Sequence, residues 1–342
     1  MRVLTDLLEG GRVDRRRFLT ATAALSVSAA SWTKVLDSSP PCTGEIPQGP
    51  GLLSHISDRL DHLRRLDDEL GSGDVLQLAR GELALIVKLI GSGRYTSAEP
   101  RLYALACEAS RQVGWAFFDQ GKAGMAARYF DGALRASAEA NDPIAGAYAA
   151  SFAAIQCYST PGQAEKAIDL LQAARDRVRW HATPRMHAML AARTARALSV
   201  TGAKRECAHQ LHLARTALDQ GPSDDDPGFL YWVDEGEIEM IAGSAALYLG
   251  DPAEALRRFA AALDTYPGDE AYPRSHAIYL ARSAEAHLAM RDLDAAVAVG
   301  RHAARCLGGV DSARSASELQ GLRKKLRPHQ SYPAVAEFLQ LG

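Results

Sequence analysis

From Leu52 to Leu70, apolar residues fall three and four positions apart: Leu52, Leu53, Ile56, Leu60, Leu63, Leu66 and Leu70. That spacing puts them on one face of a 3.6-residue period and predicts an amphipathic helix over 52–70. Gly71-Ser72-Gly73-Asp74 ends it, with Asp74 the expected N-cap of a second helix over about 75–90. A third helix is expected after Pro100. No stretch alternates apolar and polar positions as a half-buried strand would, so the chain is expected to be all-α.

Beyond Pro100 one order of residues recurs five times. A small residue is followed by a turn and then an alanine-rich amphipathic stretch, the second, third and fifth units being degenerate. The turns fall at Gly121, Gly162, Gly202, Gly250 and Arg291, spaced 41, 40, 48 and 41 residues apart. A fixed period near forty predicts stacked two-helix units that shield one another's apolar flanks. In the first unit the marks are Gly114, Gly121, Ala126, Phe130 and Ala133. Gly114 permits close approach of two helices, and Phe130 is expected to plug the gap to the neighbouring hairpin. The second has Ile155, Gly162, Ala167, Leu171 and Ala174; the third Ala195, Gly202, Cys207, Leu211 and Ala214. The fourth has Gly243, Gly250, Ala255, Phe259 and Ala262, closed by Pro267; the fifth Ala284, Arg291, Ala296, Gly300 and Ala303. The spacing of 48 is explained by an insertion, Gly221-Pro222-Ser223-Asp224-Asp225-Asp226-Pro227-Gly228, which reads as an exposed acidic loop.

This pattern resembles the tetratricopeptide repeat, whose period is about 34 residues, so helices or links are longer here. Gly114-Trp115-Ala116-Phe117 through Leu134 and Gly243 through Pro267 carry the likeness best. Segments 111–121, 127–134 and 183–193, with Leu230-Tyr231-Trp232-Val233-Asp234-Glu235, are similar to the C-terminal half of actinobacterial helix-turn-helix regulators with tetratricopeptide repeats. That resemblance implies a right-handed α-solenoid of about five hairpins acting in transcriptional or developmental regulation. Only 13 residues precede Asp14, fewer than a DNA-binding domain needs, so DNA binding by this chain is not expected.

The N-terminal stretch adds a competing expectation. Asp14-Arg15-Arg16-Arg17-Phe18-Leu19-Thr20, with an uncharged run to Ser31, is similar to a twin-arginine export signal and also to the arginine-rich segment of the regulators. The run is too short to span a bilayer. Residues 37–51, rich in Pro, Ser and Gly, read as a linker. The expected organisation is therefore 1–36, linker 37–51, an N-terminal helical pair over 52–99, the repeat array over 100–310 and a C-terminal helical cap over 311–342.

Composition narrows the function. A formal net charge of −2 gives no electrostatic footprint for nucleic acid. Five scattered cysteines without a CxxC fit reduced thiols rather than a disulfide framework or zinc site. Cys207, His209 and His212 sit at helical offsets that cannot converge on one ion. No nucleophile elbow, phosphate-binding loop, metalloprotease or dinucleotide motif occurs, so no catalytic residue, metal or cofactor is assigned. Trp180, His181, Arg185 and His187 read as a polar connector, and Arg323-Lys324-Lys325-Arg327 as a solvated helix face.

First helices of stacked hairpins line the concave side of such arrays. Aligning the units places Arg111, Trp115, Phe118, Gln156, Arg196, Glu237, Ser244 and Glu285 along it, with Tyr231 and Trp232 as a secondary surface. Aromatics with scattered polar groups suit an extended peptide or a partner helix. The expectation is a cytoplasmic, non-enzymatic scaffold for a protein or peptide partner, without a membrane span and with a homodimer allowed. Two alternatives stand beside it: a transcriptional regulator whose DNA-binding domain comes from elsewhere, and a binding protein exported through the twin-arginine pathway.

Overall fold

The computed structural model describes residues 51–265 and 272–340. The arginine-led segment, the linker up to Pro50, Cys42 and Pro267 lie outside the described residues. Within them the chain is all-helical, with fourteen α-helices and no strand. Among the described residues no helix is long and apolar enough to cross a membrane.

The helices are α1 (Gly51–Leu70), α2 (Ser72–Gly91), α3 (Glu99–Asp119), α4 (Ala123–Glu139), α5 (Pro143–Tyr158), α6 (Ala164–Val178) and α7 (Pro184–Thr201). Then follow α8 (Lys204–Leu218), α9 (Glu235–Tyr248), α10 (Pro252–Thr265), α11 (Pro273–Ala289), α12 (Leu293–Cys306), α13 (Ala313–Leu326) and α14 (Pro333–Gln340). Two compact units divide them. The first comprises described residues up to Asp67 and Ser72–Ala182; the second comprises Asp68–Gly71 and the described residues from Thr183 onward.

Within the first unit α3 pairs with α4 and α5 with α6, and α3 also packs on α5. Within the second, α7 pairs with α8, α9 with α10 and α11 with α12. There the first helices form an unbroken series, α7 on α9, α9 on α11 and α11 on α13. The turns are where the sequence puts them: Gly121, Gly162, Gly202 and Gly250 all have positive φ, and so does Arg291, at φ 64°. Only glycine enters this region without steric cost, so Arg291 is held there by the helices it joins. Side-chain caps reinforce the starts. Asp142 accepts from the Ala145 amide, Thr183 from Met186, Asp234 from Glu237, Asp292 from Ala295 and Ser312 from Ser315.

Three details differ from the sequence expectation. Helix α2 begins at Ser72, so Asp74 sits in its first turn, where its charge suits the helix dipole, and does not cap it. Gly51, read as linker, already belongs to α1. In the insertion, Asp224 and Asp225 are exposed, but Asp226 turns toward Arg185 of α7, 3.4 Å away.

The small residues set how closely paired helices approach. The second-helix alanines Ala126, Ala133, Ala167, Ala174, Ala214, Ala255, Ala262, Ala296 and Ala303 are all fully buried. The Phe130 ring seats on Gly114 of its own hairpin. A Cβ built at Gly114 would lie 2.9 Å from that ring, and one at Gly243 would lie 2.7 Å from the Phe259 ring. Such contacts cannot be relieved without moving an aromatic ring packed in the core. Gly243→Ala is therefore expected to cost about 1–3 kcal/mol through overpacking. Phe259→Leu in the same chain should recover part of that loss. Amide exchange in α9 measures both, and a cost under about half a kcal/mol would mean the ring retreats freely.

Candidate functional site

In the first unit, α3 carries Glu108, Arg111, Gln112, Trp115 and Phe118 at the three- and four-residue steps of one helix face. Glu108 bridges Arg64, at 2.5 Å, and Arg111, at 2.7 Å. Gln112 donates to Glu108 at 2.9 Å and to the Leu60 carbonyl at 2.7 Å. Burial alone would raise the Glu108 carboxyl. The Arg111 and Arg64 cations and the hydrogen bonds from Arg111 and Gln112 outweigh it and hold the group well below the usual carboxylate range. The Arg111 guanidinium also lies over the Tyr148 and Phe152 rings of α5, 4.9 and 4.5 Å from their centres. Trp115 donates its ring N–H to Asp67 at 3.1 Å and packs against Phe118 and, edge-on, Phe152. Arg111, Trp115 and Phe118 are thus brought together. Gln156 stands elsewhere, donating to the Ala123 carbonyl at the start of α4 at 2.7 Å.

The second unit carries a longer polar seam across its series of first helices. Tyr279 of α11 places its hydroxyl 3.0 Å from both Glu237 oxygens of α9, and Arg193 of α7 is 3.9 Å from Glu237. Arg193 also lies over the Trp232 ring, 5.1 Å from its centre. Arg196 of α7 is buried, with its guanidinium 3.9 Å above the centre of the Tyr248 ring, and donates to Ser199 at 3.0 Å. Arg282 of α11 donates to Ser244 of α9 at 3.1 Å and to Glu318 of α13 at 2.9 Å. Lys325 of α13 closes the seam on Glu285 at 2.6 Å.

The two seam acids differ in kind. Burial would raise Glu318, but Arg282, with further help from Arg314 and Arg196, holds it below its ordinary value. Among the described residues no cation lies within hydrogen-bond distance of Glu237, Arg193 standing 3.9 Å away. Burial pushes it up to about 7, with Arg193, the Tyr279 hydrogen bond and Arg314 opposing that rise and Asp234 adding to it. Glu237 is therefore a carboxyl that gains and loses a proton near neutrality.

Arg196, Glu237, Ser244 and Glu285, singled out from the sequence, all lie on this seam. The secondary pair is half-buried: Trp232 sits beneath Arg193, and the Tyr231 hydroxyl donates to Asp68 of the same unit. Sequence reasoning missed Arg193, Tyr279, Arg282, Arg314 and Glu318. One signal was there to read. Trp115, Gln156, Arg196, Ser244 and Glu285 each follow their hairpin's small residue by one position; the position two before it is polar at Gln112, Arg193 and Arg282. Those two positions are three apart and so share a helix face. Arg314 and Glu318 sit on a helix outside the repeat, where no register points to them.

A separate bridge lies on the second-helix side. Glu239 of α9 takes Arg215 of α8 at 2.6 Å and Arg258 of α10 at 3.1 Å. Cys207 is buried and its thiol pushed up to about 11 by that burial, while His209 and His212 are exposed on the opposite side of α8. A scan against protein-family models and a search of curated proteins gave no match.

Proposed function

We propose that the chain is a non-enzymatic regulatory scaffold, a tetratricopeptide-like α-solenoid that binds a protein or peptide partner along its first helices. The observation that carries this reading is the polar seam of the second unit. Apolar side chains of similar volume would bury as well or better in place of Arg282–Glu318 and Arg193–Glu237, because desolvation offsets most of the attraction within a buried ion pair. A helix series built for stability alone would not need them. Aromatic rings beneath arginines, Tyr248 being 58% exposed, add contact area of the kind partner surfaces use. The repeat resemblance supplies the regulatory role, and buried single thiols at Cys107, Cys157 and Cys207 favour a reducing, cytoplasmic setting.

Selection of displayed random peptides on the immobilised full chain tests the reading. Peptides should be enriched, and the enriched ones should slow amide exchange in α9 and α11. Absence of enrichment, or protection confined to the second helices α8 and α10, would reject it.

A further inference from the structure

The seam has a feature that pairwise contacts do not convey. Helices α7 and α13 stand at opposite ends of the series α7, α9, α11, α13, yet their charges act on the same groups. Arg196 of α7 and Arg314 of α13 both bear on Glu318, together with Arg282 of α11. Arg193 of α7 and Arg314 of α13 both bear on Glu237 of α9. The first-helix face of this unit therefore gathers four guanidiniums around two carboxylates. Asp234 stands exposed at the rim, engaged in capping α9.

Resting on the scaffold reading, we propose that this arginine cluster is a docking site for an acidic, extended segment of a partner protein, whose carboxylates engage Arg193, Arg282 and Arg314. Guanidiniums already held over the Trp232 and Tyr248 rings, or fixed by Ser244 and Glu318, lose little freedom when a carboxylate arrives. Arg282 keeps one arm on Ser244 and the other on Glu318, so its planar fork is held in place on the face. The two glutamates among the arginines, in a chain of net charge −2, disfavour a dense polyphosphate backbone while leaving room for spaced single carboxylates.

Glu237 makes the site proton-dependent. The groups facing it are Arg193 from α7, Asp234 at the N-cap of α9, Tyr279 from α11 and Arg314 from α13. Arg215 and Arg258, from α8 and α10, face Glu239 instead. An incoming carboxylate repels ionised Glu237, so binding draws a proton onto it and weakens as pH rises through neutrality.

Fluorescence anisotropy on the full chain decides the matter. Three labelled decapeptides of the form Gly-X repeated, with X as Glu, Ser or Lys, are titrated at about pH 6 and about pH 8, with a single-stranded oligonucleotide and inorganic phosphate as competitors. The Glu peptide should bind best, bind more weakly at the higher pH, and lose about tenfold or more in Arg282→Gln. Glu237→Gln removes the ionising group and keeps a hydrogen-bonding partner for Tyr279. It should erase the pH dependence and tighten binding at about pH 8 severalfold, and it carries the test if Arg282→Gln does not fold. The inference falls if the Ser or Lys peptide binds as well as the Glu peptide. It also falls if the oligonucleotide or phosphate displaces the Glu peptide at lower concentration than unlabelled Glu peptide, or if Glu237→Gln leaves the pH dependence intact. Those outcomes leave the scaffold reading standing. Failure of all three peptides to bind a folded chain at about millimolar concentration would remove the inference as well, while the scaffold reading is decided by the random-peptide selection.

Discussion

Glu108→Ala is expected to destabilise the first unit by about 3–5 kcal/mol, because it strands the buried Arg111 cation without its paired carboxylate and removes one of the two carboxylates that hold Arg64. Arg111 is 2% exposed, and the side chain of Arg64 is 9% exposed. Both direct their guanidiniums at the Glu108 carboxylate. Removing that carboxylate leaves Arg111 desolvated without its paired carboxylate, leaves Arg64 with Asp61 as its remaining ion-pair partner, and frees Gln112 from one of its two acceptors. The size of the loss comes from the abandoned partners more than from the net worth of the ion pairs. A triple variant, Glu108→Leu with Arg111→Met and Arg64→Met, should accordingly be far more stable than Glu108→Ala alone. Amide exchange within α3 reads the first unit separately from the rest of the chain. A single-variant loss below about 1 kcal/mol, or a triple variant no better than the single, would show that these charges are solvated.

The Glu108 carboxyl also fixes the sign of the acid response. Its folded-state value lies below its unfolded one, so its stabilisation is complete above the unfolded value and is lost as pH falls through the folded one. Glu108→Gln should therefore cost most at neutral pH and least in strong acid.

Glu237 is expected to act in the opposite direction. Its value rises from 4.5 to about 7 on folding, so the folded chain holds a proton there that the unfolded chain releases. Stability falls as pH rises between those two values and is level above them. The difference corresponds to about 3 kcal/mol. The side chain is only 15% exposed, so solvent screening removes little of it. Other groups titrate over the same range, and the comparison must be by difference: wild type should lose about 3 kcal/mol relative to Glu237→Gln between about pH 4.5 and pH 7. Exchange of α9 amides followed against pH supplies the measurement. A constant difference across that range would mean that Glu237 ionises as it does in water.

The two acids illustrate what a sequence conveys and what it withholds. Glu108, Arg111 and Gln112 lie within five residues, and their common helix face follows from spacing alone. That Arg64, forty-four residues earlier, completes the site does not. Glu237 was placed on the first-helix side by its register in the fourth hairpin. Its elevated value could not be foreseen, because it depends on the 3.9 Å that separates it from Arg193 and on its burial in the folded chain.

The sequence by itself determined the helices, the five turns and the small residues at which paired helices meet. These are local matters, decided within one or two turns by side-chain volume, by backbone preference at positive φ and by the 3.6-residue period. Even Arg291, which lacks glycine's freedom, was placed as a turn by the period, and it adopts a left-handed conformation. Tertiary structure alone decided which charges meet across different helices. Arg282 selects Glu318 rather than its own helix's Glu285, and Arg314 and Arg196 reach common ground from the two ends of a four-helix series. Hydrophobic burial fixes the period but is indifferent to partners, whereas an ion pair is specified by a few tenths of an ångström between helices far apart in the chain.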